Sequence, residues 1–434
     1  YWPSTHRSEI DNSRKGHAHL AFSKTENLTS EGYFSYVKDF KGGHNLNATA
    51  GYSYFEVNGE NFGMDNYNFS VDGIKYWDIG QGSYLTDGKA GMSSGKSVTE
   101  RLFSFFARAN YSYQDKYMLS ASIRHEGSSK FAADNRWANF WSATAGWRIS
   151  NEEFMKDFDW LDDLKIRFGY GVTGNNDFSA TYMANMLGSD TNWMMPNGTW
   201  AYSYGKSQNV NPNLGWEEKK EWNLGVDYSF FEGRLYGKFD YYRREVDNLL
   251  FSVKVPQPPY TQGSQMQNIG SMESKGWEFE VGGDIIRTKD FTWSSSMNLS
   301  HNTGKILTLE GDNSYHNGNG FVAPGTPGDA ARMEAGSTIG SFYMWKFAGF
   351  DDEGSFLLYN KDGEVIPAAQ KTENDKQYIG NYTPKLIIGW SHTLTYKNFD
   401  LGINLRSWID FDVYNTINMY YGIQGPVSYT HLTL

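Results

Sequence analysis

The feature that most constrains this chain is a two-residue alternation of apolar and polar side chains that keeps returning along its length. Over 102–114, Phe103, Phe105, Ala107, Ala109, Tyr111 and Tyr113 share one parity. Ser104, Arg108, Asn110, Ser112 and Gln114 share the other, with Phe106 the exception. Successive side chains of a strand point to opposite faces, so each such run has one greasy side and one wet side. After Asp115 and Lys116 the pattern restarts with Tyr117, Leu119, Ala121 and Ile123. It recurs over 141–150, 164–173, 222–230, 235–242, 277–285, 291–299, 386–396 and 399–406. The spacing supports about fourteen membrane-length strands.

The connections between these runs alternate in length. Short ones fall at 115–116, 232–233, 287–290 and 397–398; long ones at 125–139, 174–220, 243–276 and 301–341. A transmembrane β-barrel has short periplasmic turns on one side and longer extracellular loops on the other, whereas a soluble sandwich has no reason to segregate them. One inner connection, 151–163, is longer and is expected to hold a helical turn. Tyr111, Tyr113, Tyr117, Tyr228, Phe230, Phe231, Tyr236, Tyr396 and Phe399 cluster at strand ends, where a barrel carries its interfacial girdle. Composition agrees: aromatics make up 17% of the 434 residues, Gly numbers 46, and the mean hydropathy is only −0.62. No stretch is long and apolar enough for a membrane helix. With no Cys, thiolate metal sites and Cys nucleophiles are excluded. A net charge of −11 without a basic run argues against nucleic-acid binding.

Ordered motifs then carry a family resemblance. Asn211, Pro212, Leu214, Trp216, Glu217, Asn223, Gly225 and Asp227 fit N-P-x-L-x-W-E-x-x-x-x-x-N-x-G-x-D. Downstream come Asp240-Tyr241-Tyr242, Asp247-Asn248-Leu249-Leu250, Asn268-Ile269-Gly270 and Ser274-Lys275-Gly276-Trp277-Glu278. Later still come Phe291-Thr292-Trp293, Asn298-Leu299-Ser300 and Asp412-Val413-Tyr414-Asn415. Upstream stand Leu164-Lys165-Ile166-Arg167 with Gly171, Gly174 and Asn175, and Tyr117-Met118-Leu119-Ser120 with Arg124 and 126–131. In this order the segments resemble the barrel of SusC/RagA-type TonB-dependent transporters, from about residue 98 to about residue 421. The resemblance implies an all-β fold, an antiparallel transmembrane β-barrel in the outer membrane of a Bacteroidetes-type bacterium. It implies import of oligosaccharides or peptides, a SusD-like surface lipoprotein as lid, and energy from the TonB complex through a plug. It implies no enzyme activity and no cofactor. Such barrels have roughly 22 strands. We therefore expect residues 1–426 to be part of a barrel whose plug, first strands and closing strands lie elsewhere, and 427–434 to be a non-native tail. The opening Tyr1-Trp2-Pro3 shows no charged-then-apolar leader, as expected of a chain that begins inside a longer one.

Candidate site residues fall into two groups. Trp193, Trp200, Tyr202 and Tyr204 in one outer loop, and Tyr260 in another, offer ring faces that stack on sugars or on peptide side chains; the plainer reading is packing of loop against loop or against a lid. Arg124, Arg148, Arg167 and Arg406 have the polar parity and point to a lumen, where inward charges need no special role. His17 and His19 sit at strand spacing and could ligate a metal, but a solvated face is the simpler account. Glu217-Glu218 and Asp351-Asp352-Glu353 could supply paired carboxylates for glycoside hydrolysis and read more simply as loop charges. Two other classes fit the pattern less well: a secreted all-β carbohydrate-binding or hydrolysing protein, and a passive or adhesive outer-membrane barrel.

Overall fold

The computed structural model describes residues 1–184, 187–309, 315–317 and 330–415. Its frame is one antiparallel sheet of twelve long strands. These are β1 (His17–Phe40), β2 (His44–Tyr67), β3 (Glu100–Tyr113), β4 (Tyr117–Ser128), β5 (Trp137–Arg148) and β6 (Leu161–Asn175). They continue as β7 (Glu217–Phe230), β8 (Leu235–Asp247), β9 (Ser271–Arg287), β10 (Phe291–Thr308), β11 (Leu386–Tyr396) and β12 (Phe399–Ile409). Each pairs with the next, so sheet order is chain order, and a short strand, Gly91–Lys96, adds to the outer end of β2. Among the described residues the sheet thus holds twelve sequential long strands, against an expectation of about fourteen. Extended segments within the outer connections form small separate sheets instead, such as Leu187–Met194 with Trp200–Lys206 and Lys346–Phe350 with Phe356–Tyr359. Among the described residues neither β1 nor β12 has a second partner strand.

The register shows why the alternation is there. Leu119, Ala145, Phe168, Leu224, Tyr241, Trp277 and His301 lie in one lateral row across seven strands. The apolar face is open along its whole width: Leu119 is 55% exposed, Phe168 49% and Leu405 52%. A continuous apolar surface of this extent belongs against lipid. The opposite face is polar.

The connections segregate by length with one exception, the inner 149–160, which is longer than the outer 129–136. Inner turns are 41–43, 114–116, 149–160, 231–234, 288–290 and 397–398; outer connections are 68–99, 129–136, 176–216, 248–270 and 309–385. The 149–160 segment contains two 3₁₀ turns, Ile149–Asn151 and Glu153–Met155, at the expected place. In the 231–234 turn, Phe231 and Glu232 have φ of 59° and 57°, an αL conformation that side chains disfavour. The Asp162 carboxylate compensates by accepting from the Glu232 and Gly233 N–H groups at 3.0 and 2.8 Å. β1 and β2 run for 24 residues each, although about 9–11 residues cross a membrane. The strands therefore project well beyond the bilayer on the outer side.

The buried apolar core does not lie in the membrane part. It is a cluster of Phe131, Phe140, Phe178, Leu214 and Trp216, built where three outer connections meet the outer ends of β5 and β6.

Candidate solute-facing wall and outer loops

The polar face carries a charged ladder. The Arg167 guanidinium donates to Asp227 at 2.8 and 2.9 Å and to Asp240 at 3.0 Å, tying β6 to β7 and β8. Lys165 approaches Asp227 at 3.8 Å, and Lys238 pairs with Glu280 at 3.2 Å. Arg124 is held by Glu126 on its own strand, and Arg148 by Asp163 at 3.1 Å. Arg406 is exposed and forms no ion pair among the described residues. It lines a concavity of about 950 Å³ with Glu278, Glu280, Asn298 and Trp408. All four arginines thus stand on the polar face, three of them paired with carboxylates. A fixed arginine on such a wall presents a planar cation in one orientation, suited to guiding polar solutes.

Above the sheet, the segment opening with Asn211 acts as a clamp. Leu214 is fully buried, and Trp216 packs on Phe131 and Phe140 with ring centroids 4.9 and 5.2 Å apart. The Trp216 indole N–H donates to the Arg136 carbonyl at 3.0 Å, closing the 129–136 connection over it. Asparagine side chains finish the joint to the 248–270 connection. Asn211 donates to the Met266 carbonyl, and Asn268 accepts from the Gly215 N–H at 2.7 Å while donating to the carbonyls of Gly215 and Asn248. Asn209 donates to the carbonyls of Gln262 and Ser264. Glu217 accepts from Asn175 and from the Leu250 N–H. Each amide satisfies backbone groups that a loop cannot pair by itself. All of these asparagines but Asn209 fall in the sequence motifs, which did not show that they hold three loops together.

On this platform stands the hairpin of Leu187–Met194 and Trp200–Lys206. Trp200, Tyr202 and Tyr204 share a parity, and Trp200 and Tyr202 are 67% and 74% exposed. Trp193 is also exposed, opposite Ala201. All four rings are thus largely exposed among the described residues. Residues two apart on a strand are spaced about 6.7 Å, so the Trp200–Tyr204 row is roughly 13 Å long. Tyr260 is half-buried in a separate connection, anchored to the hairpin's foot where Gln262 donates to the Lys206 carbonyl at 2.7 Å.

The remaining candidates have partners of their own, and His17, stacked on Tyr67 with its side chain 16% exposed, does not lie on the solvated face expected of it. His17 and His19 both lie 2.9 Å from the same oxygen of Asp65. Among the described residues no three His, Cys, Asp or Glu side chains are arranged to hold a metal. Asp351 caps its own turn by accepting from the N–H groups of Glu353 and Ser355. At the inner rim Glu152 accepts from Tyr117 at 2.6 Å, Trp147 at 3.0 Å and Lys116 at 3.1 Å. These donors, Tyr117 foremost, hold its carboxyl down to about 2.

Comparison with known proteins agrees with this geometry. The profile of the family described as TonB dependent receptor-like, beta-barrel matches residues 2–420. That match reaches about a hundred residues further towards the N-terminus than the motifs alone did. The chain is 34% identical over 340 residues to TonB-dependent receptor SusC of Bacteroides thetaiotaomicron, covering 76% of this chain and 33% of that one. It is 32% identical over 425 residues to TonB-dependent receptor P3 of Formosa agariphila, covering 92% of this chain and 40% of that one. The chain thus spans 40% or less of the length of these curated relatives. Among solved structures, the RagAB peptide transporter superposes with a TM-score of 0.74 at 26% identity, over 90% of this chain and 41% of that one. A two-faced meander, segregated loops and a match along nearly the whole chain make this protein a member of the TonB-dependent receptor β-barrel family, an outer-membrane barrel of the SusC/RagA type.

Proposed function

We propose that residues 1–426 form part of the barrel wall and the outer solute-gathering loops of a TonB-driven importer of oligosaccharides or peptides. The observation that carries the reading is the pairing of one lipid-suited face with one charged face, surmounted by the exposed Trp200, Tyr202 and Tyr204 row. In this reading the aromatic row, with Trp193 and Tyr260, captures solute, while Arg124, Arg148, Arg167 and Arg406 line the path inward. A SusD-like surface lipoprotein closes the outer mouth. The TonB complex supplies energy through a plug outside this chain. The barrel is a scaffold, and no covalent step is needed from any of its residues. The likeness to a RagAB peptide transporter supports the peptide class, and the exposed aromatic row suits either class.

The test is uptake by the intact transporter carrying Trp200→Ala, Tyr202→Ala and Tyr204→Ala together. Stacking on each ring is worth about 0.5–1.5 kcal/mol. Loss of three rings should therefore weaken solute capture by roughly tenfold or more, with surface level and heat-modifiable mobility unchanged. Undiminished capture would remove the row from the solute path.

A further inference from the structure

The lipid-facing surface contains a depression where β8 to β11 meet the inner rim. Its floor is made by two small residues directly opposite one another, Gly283 and Ser295. Leu235, Val281, Ile285, Met297 and Trp390 form its apolar walls, enclosing about 580 Å³. That volume lies in the range of sites that hold small molecules, about 300–1,000 Å³. A register shift between Asp284 and Ile286 leaves Ile285 unpaired on this face, 52% exposed; a bulge of this kind re-aims a side chain. The Trp390 indole donates to the Ser295 hydroxyl at 2.9 Å, so the floor's one hydroxyl is satisfied and the surface is left apolar.

The inner end of the depression is different. Phe231 and Arg234 of the 231–234 turn line it there. Arg234 is exposed and forms no ion pair among the described residues, whereas nearby Arg287 is paired with Asp284 at 3.5 Å. Gly283 lies four residues from the inner end of β9, or about 13 Å at strand rise. The depression therefore spans the depth between inner-leaflet headgroups and the upper part of the acyl chains. The acidic groups of this rim are Asp162, which accepts from the Glu232 and Gly233 N–H groups, together with Glu232, Asp284 and Asp290. Of these, Asp284 is occupied by Arg287 and by Ser294.

We propose that this depression is a binding site for one anionic glycerophospholipid of the inner leaflet, with an acyl chain over Gly283 and Ser295 and the phosphate on Arg234. Two observations select this occupant. The surface is continuous with the apolar face that the family's outer-membrane location sets against lipid. Among the described residues the only cation lining the depression without an ion pair, Arg234, stands at headgroup level, and a guanidinium binds phosphate in a fixed, two-pronged geometry.

The experiment is native mass spectrometry of the intact protein in mild detergent with equal phosphatidylglycerol and phosphatidylcholine. The wild type should retain one phosphatidylglycerol at least fivefold more than phosphatidylcholine. Arg234→Gln should abolish that preference, and Ser295→Leu, which fills the floor, should lower retention of both lipids. Lys397→Gln, at another inner turn, should change nothing. Equal retention of the two lipids by wild type would reduce the site to ordinary annular lipid and overturn the proposal. So would a preference that survives Arg234→Gln or is lost equally in Lys397→Gln. Should Ser295→Leu not fold, the Arg234→Gln result decides alone, since that exposed turn residue leaves the strands unchanged.

Discussion

Replacing Trp216 with Ala should unfasten the outer loops while leaving the membrane sheet standing. The indole packs on Phe131 and Phe140 and is nearly sealed from solvent. Truncating a buried Trp to Ala costs about 3–5 kcal/mol, the lost transfer energy plus the cavity left behind. The Arg136 carbonyl also loses its indole donor. None of the ring partners belongs to the membrane-crossing parts of β7 to β12, so the cost falls on the local opening of the 129–136, 208–216 and 248–269 segments. At about 1.4 kcal/mol per factor of ten, amide exchange there should rise roughly a hundred- to a few-thousand-fold.

Hydrogen–deuterium exchange of the intact protein in detergent reads this directly. The inner halves of β7 and β8 should exchange as in wild type. Trp216→Phe keeps most of the ring contact and loses the N–H bond; it should show an increase of about tenfold, since one unsatisfied buried acceptor costs about 1–3 kcal/mol. Faster exchange spread evenly over the sheet would refute the reasoning, because the cluster would then support the whole barrel. Unchanged exchange in the three loops would refute it too, showing that the asparagine joints suffice without the core.

Two further outcomes follow from single contacts. A Cβ at Gly276 would meet the Tyr242 hydroxyl at 2.7 Å and crowd the His301 carbonyl. Tyr242 is only 6% exposed and cannot swing clear, so Gly276→Ala should lower the urea midpoint by the equivalent of about 1–3 kcal/mol. A Tyr242→Phe background should give back part of the loss. Glu152 has a folded-state value near 2, below the usual carboxyl range. The unfolded chain binds its proton more readily, so the stability it contributes is present above the usual carboxyl value and is lost as pH falls towards 2. Melting temperatures measured from pH 6 to pH 2.5 should therefore drop more steeply for wild type than for Glu152→Gln, and parallel curves would show that the three donors do not stabilise the charged form.

How far the sequence could be read follows from where each strand lies. β3 to β12 announce themselves because lipid on one side and a wet wall on the other enforce strict alternation over about ten residues. β1 is quieter. Its 23–31 stretch, Ser-Lys-Thr-Glu-Asn-Leu-Thr-Ser-Glu, is polar on both parities, as suits the outer part of a 24-residue strand that has left the bilayer. Without a greasy side no period appears. The parity of Arg167 was legible, but its partners were not, because Asp227 and Asp240 sit on two other strands and only the register brings them together. The exposed row from Trp200 to Tyr204 was legible as aromatics in a loop; that the loop is a hairpin with these rings on one parity and exposed was not.

The same register gives physical content to motifs that the sequence offered only as a signature. Tyr242 of Asp240-Tyr241-Tyr242 lies directly opposite Gly276 of Ser274-Lys275-Gly276-Trp277. The glycine is there because the ring lies across it, and the ring is buried because no side chain competes for the space. Tyr228 over Gly237, Tyr236 over Gly282, Trp137 over Gly127 and Tyr52 over Gly32 repeat the device between other directly opposed pairs. Glycine weakens a strand by its lost side chain, and an aromatic lying across it from the neighbouring strand restores the covered area. Such a pair also fixes register, since a one-residue slip would put the ring on a different neighbour and send the glycine to the other face. Lipid penalises a one-residue slip but greets every apolar residue alike, so it discriminates little between registers two residues apart. Pairs in which one partner must be large and the other absent supply the specificity that a uniform solvent cannot.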